Sequence, residues 1–262
     1  MDKNKKISIK IIVILALLVA IWYMYLDFSN LFGFIDNTFP SSIIKRIDVF
    51  LITIIVAISG KDSLSKKDSV HLKIAFIAIC CAEMAFLLHS TYGGIGFFLL
   101  SQILLILRNG QGLKQKLFSI EDKPTKLKLI AWGIGIFLIF SLIIAFVFYP
   151  ILKLSLFLLI FIVYGTVLSV SFWVGKANYI LGLFPKKNSL MVAIAMACFF
   201  FSDILVGLIM IIKSGIIYQL ANCFIWVLYA PAILLLAFSG YKHSDLQEKN
   251  SSLQVENHRY TT

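Results

Sequence analysis

Residues 190–212 read LMVAIAMACFFFSDILVGLIMII, and after Lys213, Ser214 and Gly215 residues 216–239 read IIYQLANCFIWVLYAPAILLLAFS. Each run exceeds the roughly 20 apolar residues that carry a helix across about 30 Å of hydrocarbon. The only acidic or basic side chain in the pair is Asp203. Three residues between the runs leave room only for a tight reversal, so the stretch predicts two antiparallel membrane helices lying side by side.

The same pattern recurs toward the N-terminus. Apolar runs at residues 9–27, 43–59, 72–88, 93–107, 129–149 and 151–172 complete a set of eight predicted spans, of which the second, third and fourth are short. Of the 262 residues, 60% are hydrophobic and 14% charged, whereas a soluble domain needs about a quarter of its residues charged to cover its surface. A soluble globular fold is excluded. The predicted fold class is all-α, a polytopic membrane helix bundle of about eight transmembrane helices. Residues 1–242 form its single domain, and 243–262 form a polar tail with too few apolar residues to fold.

The basic residues orient the bundle. With the N-terminus inside, only Lys45, Arg46, Lys153 and Lys213 of 24 fall in outer segments, an asymmetry that the positive-inside rule predicts for eight spans with both termini cytoplasmic. The first run follows Lys3, Lys5 and Lys6 as a signal peptide would. It is too long for a signal core, however, and continues through Trp22, Tyr23 and Tyr25, so it reads as an uncleaved span. The net charge of +11 is explained by the membrane surface, and no aromatic-interleaved basic module points to nucleic acid. Cys80, Cys81, Cys198 and Cys223 lie in apolar runs without metal-ligand spacing and read as small hydrophobes. The composition, rich in Lys, Ile and Asn, points to a bacterial inner membrane, and no oligomeric state is set by it.

Without an extramembrane domain, function must reside inside the bundle or at its mouths. Ionisable groups in hydrocarbon cost at least about 2.5 kcal/mol each, which makes Glu83 and Asp203 the leading candidates. Counted from the inner ends of their predicted spans they lie at depths of roughly 17 and 20 Å. Gln102, Tyr164, Tyr229 and Ser202 fall at neighbouring depth as groups that position substrate or water. Lys45 and Arg46, followed by Asp48, could grip a lipid phosphate at the outer mouth, although snorkelling to headgroups is the plainer role for such residues. Gly93, Gly94 and Gly96 mark a tight turn and close packing. His71, His89, His243 and His258 all lie outside the depth of a span, so no intramembrane Ser-His-Asp triad is available.

These residues, in this order, resemble the YhhN family of eight-span membrane proteins, the lysoplasmalogenase family. Phe200, Phe201, Ser202 and Asp203 are similar to its Ser-Asp motif, Trp226 to Pro231 (WVLYAP) to its last-helix Tyr motif, and Tyr164 in IVYGTVLS to its Tyr in span six. The N-terminal half departs from the pattern. Ala82 and Glu83 stand where the family usually shows Gly-Asp, Gln102 and Ile103 stand where it shows His and an aromatic, and Ala232 replaces a Gln. The resemblance covers residues 44–240. It implies hydrolysis of the vinyl ether bond of a lysoplasmalogen, a membrane lysolipid, to a fatty aldehyde and a glycerophospho-base.

Such chemistry needs one neutral carboxylic acid and one carboxylate, roles to which Asp203 and Glu83 together are suited in either order, and it requires no metal and no organic cofactor. The missing His and Gln bear on the usual substrate or on catalysis itself. Two other classes compete, a non-catalytic lipid-binding protein and a small-solute or proton-coupled transporter. Against transport, the intramembrane Pro231 has no counterpart in the first four spans to suggest repeated broken helices.

Overall fold

The computed structural model describes residues 3–34 and 41–242. The polar tail lies outside the described residues. Eight long helices are present, α1 (Lys3–Leu31), α2 (Ser41–Ala57), α3 (Lys66–Leu87), α4 (Thr91–Asn109), α6 (Lys123–Leu152), α7 (Leu156–Leu181), α8 (Lys186–Ile211) and α9 (Ile216–Ser239). A short helix α5 (Leu113–Phe118) sits in the basic loop after α4. All the long helices except the 17-residue α2 are long and apolar enough to cross a membrane, and there is no strand among the described residues. The protein is a polytopic helical membrane bundle.

Local chemistry sets where the helices begin and end. Ser65, Asp122 and Ser155 precede α3, α6 and α7, and each side chain accepts a hydrogen bond from the backbone N–H three residues on. Gly182 closes α7 in the left-handed conformation (φ 60°), with Leu183 N–H returning to the Asn178 carbonyl. The turn expected at Tyr149 and Pro150 is not there. Helix α6 passes through a π-helical turn at Ile144–Phe148, continues over Tyr149–Leu152, and the chain reverses only at Lys153 (φ 47°). Proline carries no N–H and disrupts the α-helical ladder, and the wider π turn just before Pro150 absorbs that disruption.

Helices α8 and α9 pack along their lengths, α3 pairs with α4, and α1 lies against α2 and α9. The apolar core is built from Phe76, Ile79, Phe199, Phe200, Ile233 and Leu236, all fully buried. Close approach relies on glycine where an aromatic ring crosses a backbone. A Cβ at Gly94 would lie 2.6 Å from the Phe86 ring, and one at Gly165 would lie 2.1 Å from that of Phe140. The first contact fits the close packing expected at Gly94, but Gly96 has nothing within 4 Å of a Cβ, and Gly93, Gly94 and Gly96 all lie inside α4 rather than in the tight turn expected there.

One end of the bundle gathers both ends of the described chain. Lys5 donates to the Ser59 carbonyl and pairs with Asp62, and Lys242 N–H donates to the Asp62 carbonyl at 2.8 Å. Slightly deeper at this end lies Arg108, just past the fourth predicted run, with no exposed surface. Its guanidinium donates to Asp68 Oδ1 and Oδ2 at 2.8 and 3.3 Å and to Ser239 Oγ at 2.8 Å, joining α4 to α3 and α9. Asn178 and Asn188 extend this latch to the Asn109, Ser239 and Tyr241 carbonyls.

Candidate functional site

At the opposite end, where α2, α4 and α9 begin, a cavity of about 490 Å³ enters the bundle. Ser41, Ser42, Thr91 and Tyr218 stand at its rim, and Phe86, Phe98, Ile160, Val206 and Ile225 give it an apolar wall. Of the eight residues singled out from the sequence, Glu83, Asp203, Tyr164, Tyr229, Ser202, Lys45 and Arg46 line it. Gln102 does not. It is fully buried outside the lining, with both amide heteroatoms lacking a hydrogen-bond partner among the described residues.

The depth argument needs correction. Glu83 is four residues from the end of α3, or about 6 Å, and Asp203 is eight from the end of α8, or about 12 Å. The carboxyls therefore lie toward the mouth rather than midway. Counting from the inner ends hides this, because the runs at 72–88 and 190–212 already end close beyond the two acids; the helices also start earlier than the runs, at Lys66 and Lys186, which moves the acids further from the inner end.

Each carboxyl has a different neighbour. The Tyr164 hydroxyl on α7 donates to Asp203 Oδ2. Ser202, expected to place Asp203, instead donates to the Ile225 carbonyl at 3.2 Å and ties α8 to α9. Glu83 faces a cation, with Arg46 Nε 3.8 Å from its Oε2. Arg46 is fixed in turn by donating to the carbonyls of Ser42 and Glu83. The Tyr229 hydroxyl is buried and lies against the Glu83 carboxyl, the group it interacts with most strongly. Its ring is held by Phe98, Phe199 and Trp226, with centroids 5.3 to 6.0 Å away.

Lys45 turns inward instead of snorkelling. Its Nζ pairs with Asp27 Oδ2 at 2.6 Å, both side chains are under 10% exposed, and the ammonium sits 5.3 Å above the Trp226 ring. Beside it, Tyr23 donates to the buried Asp48 at 3.2 Å. Asp27, Tyr23 and Asp48 were not singled out as site residues. Asp48 carried a signal, an acid five residues into the predicted second span, but Asp27 marked only the edge of the first and its partner is distant in sequence. Two cations thus face four carboxyls in this half of the bundle, in a chain whose net charge is +11.

A six-helix setting, a mouth at one end and two acids on α3 and α8 define a cavity within a membrane helix bundle. The family model of the YhhN family matches residues 41–240, and the chain belongs to that family. The match leaves α1 outside it, although α1 supplies Asp27 and Tyr23. No curated protein and no solved structure matches the chain.

Proposed function

We propose that the protein hydrolyses the vinyl ether bond of a lysoplasmalogen-type lysophospholipid within the membrane, in a bacterial inner membrane with both termini cytoplasmic. The observation that carries the reading is the shared cavity of Asp203 and Glu83, one acid held by a neutral hydroxyl and the other facing a guanidinium. The reaction needs one carboxyl that gives a proton and one that stays charged. A neighbouring cation favours the charged form. Glu83 beside Arg46 is therefore assigned as the carboxylate and Asp203, which has no cation beside it among the described residues, as the proton donor, with Tyr164 fixing its orientation through Oδ2.

Asp203 delivers its proton to the alkene carbon distal to the ether oxygen, leaving an oxocarbenium ion that Glu83 stabilises electrostatically. Water oriented by Glu83 and by the Tyr229 hydroxyl beside it adds to the cationic carbon. The proton it releases restores the acid, and the hemiacetal collapses to a fatty aldehyde and a glycerophospho-base. The balance is one water consumed per bond cleaved, and the chemistry requires neither a metal nor an organic cofactor. The headgroup phosphate rests at the polar rim, where Arg46, Ser41, Ser42 and Thr91 offer donors and Lys45 lies close. Gln102 stands outside the lining, so these steps use no group at that position.

The test offers the purified protein in detergent three single-chain lipids that differ only in the link at the first glycerol carbon: vinyl ether, saturated ether and ester. Aldehyde release from the vinyl ether alone, with one deuteron on the carbon next to the aldehyde when the reaction is run in D2O, supports proton delivery to the alkene. A folded protein that cleaves none of the three overturns the hydrolase reading and leaves a lipid-binding protein.

A further inference from the structure

Two further spaces lie sideways of the cavity that holds the carboxyls. Phe161, Tyr164, Asp203 and Gly207 line both it and a narrow gap of about 20 Å³, whose other walls are Phe140, Ile143, Ile144, Phe148 and Ile204. Ile143 and Ile204 also line a third space, an apolar groove of about 490 Å³ on the outside of the bundle formed with Phe201, Leu208, Leu220 and Phe224. Each space shares lining residues with the next, and together they mark a line from Asp203 between α6 and α8 to the outer surface of the bundle. The gap is the constriction, with room for about one water.

What closes the gap is unusual. Phe148 and Phe161 pack with ring centroids 4.8 Å apart over Gly207, where a Cβ would lie 3.0 Å from Phe148 Cζ. Phe148 is the last residue of the π turn in α6, and α6 is the least buried of the long apolar helices. Its inward contacts here are rings laid on glycines, Phe140 on Gly165 and Phe148 on Gly207. Such contacts separate without breaking a hydrogen bond, and π turns are frequent where a helix serves a site.

Resting on the lysolipid reading above, we infer that the aliphatic chain of the ligand leaves the carboxylate cavity between α6 and α8, past Phe148 and Phe161, and lies in the groove of Phe201, Ile204, Leu208, Leu220 and Phe224. A single-chain lipid with its polar end at the rim and its reactive carbons at Asp203 must put its chain somewhere apolar. The groove shares Ile143 and Ile204 with the gap beside Asp203 and exposes almost no polar surface. Chain and headgroup thereby part at the acid, with the scissile bond at the junction.

The experiment uses a saturated-ether lysophospholipid, which the proposed chemistry does not cleave, bearing a photoreactive diazirine at the far end of its chain. The full chain in detergent is irradiated with and without excess unlabelled lysolipid. The expected result is label on α8 and α9 residues of the groove that competitor removes, with Ile204→Trp lowering it about tenfold and Phe148→Ala raising the labelling rate. Label that competitor removes only from rim residues such as Thr91 and Tyr218, or groove label that competitor leaves unchanged, overturns the chain site. Because the probe needs no turnover, wild-type labelling decides the matter even if a variant fails to fold. Competed groove label without aldehyde release in the preceding assay keeps the chain site and removes the hydrolase. Aldehyde release with competed label only at the rim does the reverse.

Discussion

Replacing Asp68 with Asn removes one charge and almost no volume, yet it is expected to cost about 3 to 5 kcal/mol of stability. Arg108 has no exposed surface, and its hydrogen bonds to Asp68 at 2.8 and 3.3 Å are its only contacts with a countercharge among the described residues. Ser239 at 2.8 Å and Asn109 at 3.3 Å would remain as neutral acceptors and cannot offset the charge. Arg108→Met strands the opposite charge, but Asp68 lies in the first turn of α3, where the helix dipole supplies roughly 0.3 to 1 kcal/mol, so this variant should fall at the lower end of the range. Removing both with Asp68→Leu and Arg108→Met should cost less than the two single changes summed, because no buried charge is left alone. Against a total stability of about 5 to 15 kcal/mol the single effects are easily read by reversible SDS-induced unfolding in mixed micelles. An Asp68→Asn protein within about 1 kcal/mol of wild type, or a strictly additive cycle, would refute the latch as a buried ion pair.

Three further outcomes are expected. Tyr164→Phe removes the donor to Asp203 while keeping the ring, and should lower kcat/KM for the vinyl ether by about 10- to 100-fold with unfolding unchanged within about 1 kcal/mol. Gly165→Ala forces a Cβ into the Phe140 ring and should destabilise by about 1 to 3 kcal/mol, and Phe140→Ala in the same chain should restore part of the loss in the unfolding assay. At the polar end of the bundle, the Lys5 ammonium beside Asp62 holds that carboxyl below the ordinary aspartate value. A depressed pKa in the folded state contributes stability at neutral pH that is lost as pH falls below the ordinary value and through the folded one. An acid titration followed by thermal unfolding should therefore show a smaller low-pH loss in Asp62→Asn than in wild type.

Hydropathy and short loops made the helix count legible, since a run such as residues 216–239 has one solution in a membrane. Charge chemistry found most of the cavity, because Glu83, Asp203, Lys45 and Arg46 are each too costly in hydrocarbon to lack a partner. What remained hidden was partnership across the chain. Nothing near Lys45 names Asp27 as its counter-ion, and nothing near Arg108 announces Asp68, Ser239 and the asparagines that draw it inside. Gln102 was selected on depth alone, and depth does not say which face of α4 looks into the cavity. The π turn before Pro150 was invisible for a related reason. Proline signals a break, but whether the chain reverses or the helix widens depends on what packs around it, here Phe148 against Phe161 and Gly207.

The central claim is that Asp203 and Glu83 act together on a vinyl ether, and it is tested most directly by aldehyde release from lysoplasmalogen compared among wild type, Asp203→Asn and Glu83→Gln, all verified as folded. The account predicts turnover in wild type and a loss of at least about a hundredfold in each variant, in line with the usual contribution of a general acid or base. Turnover that survives either substitution, or a folded wild type that releases no aldehyde, would contradict it.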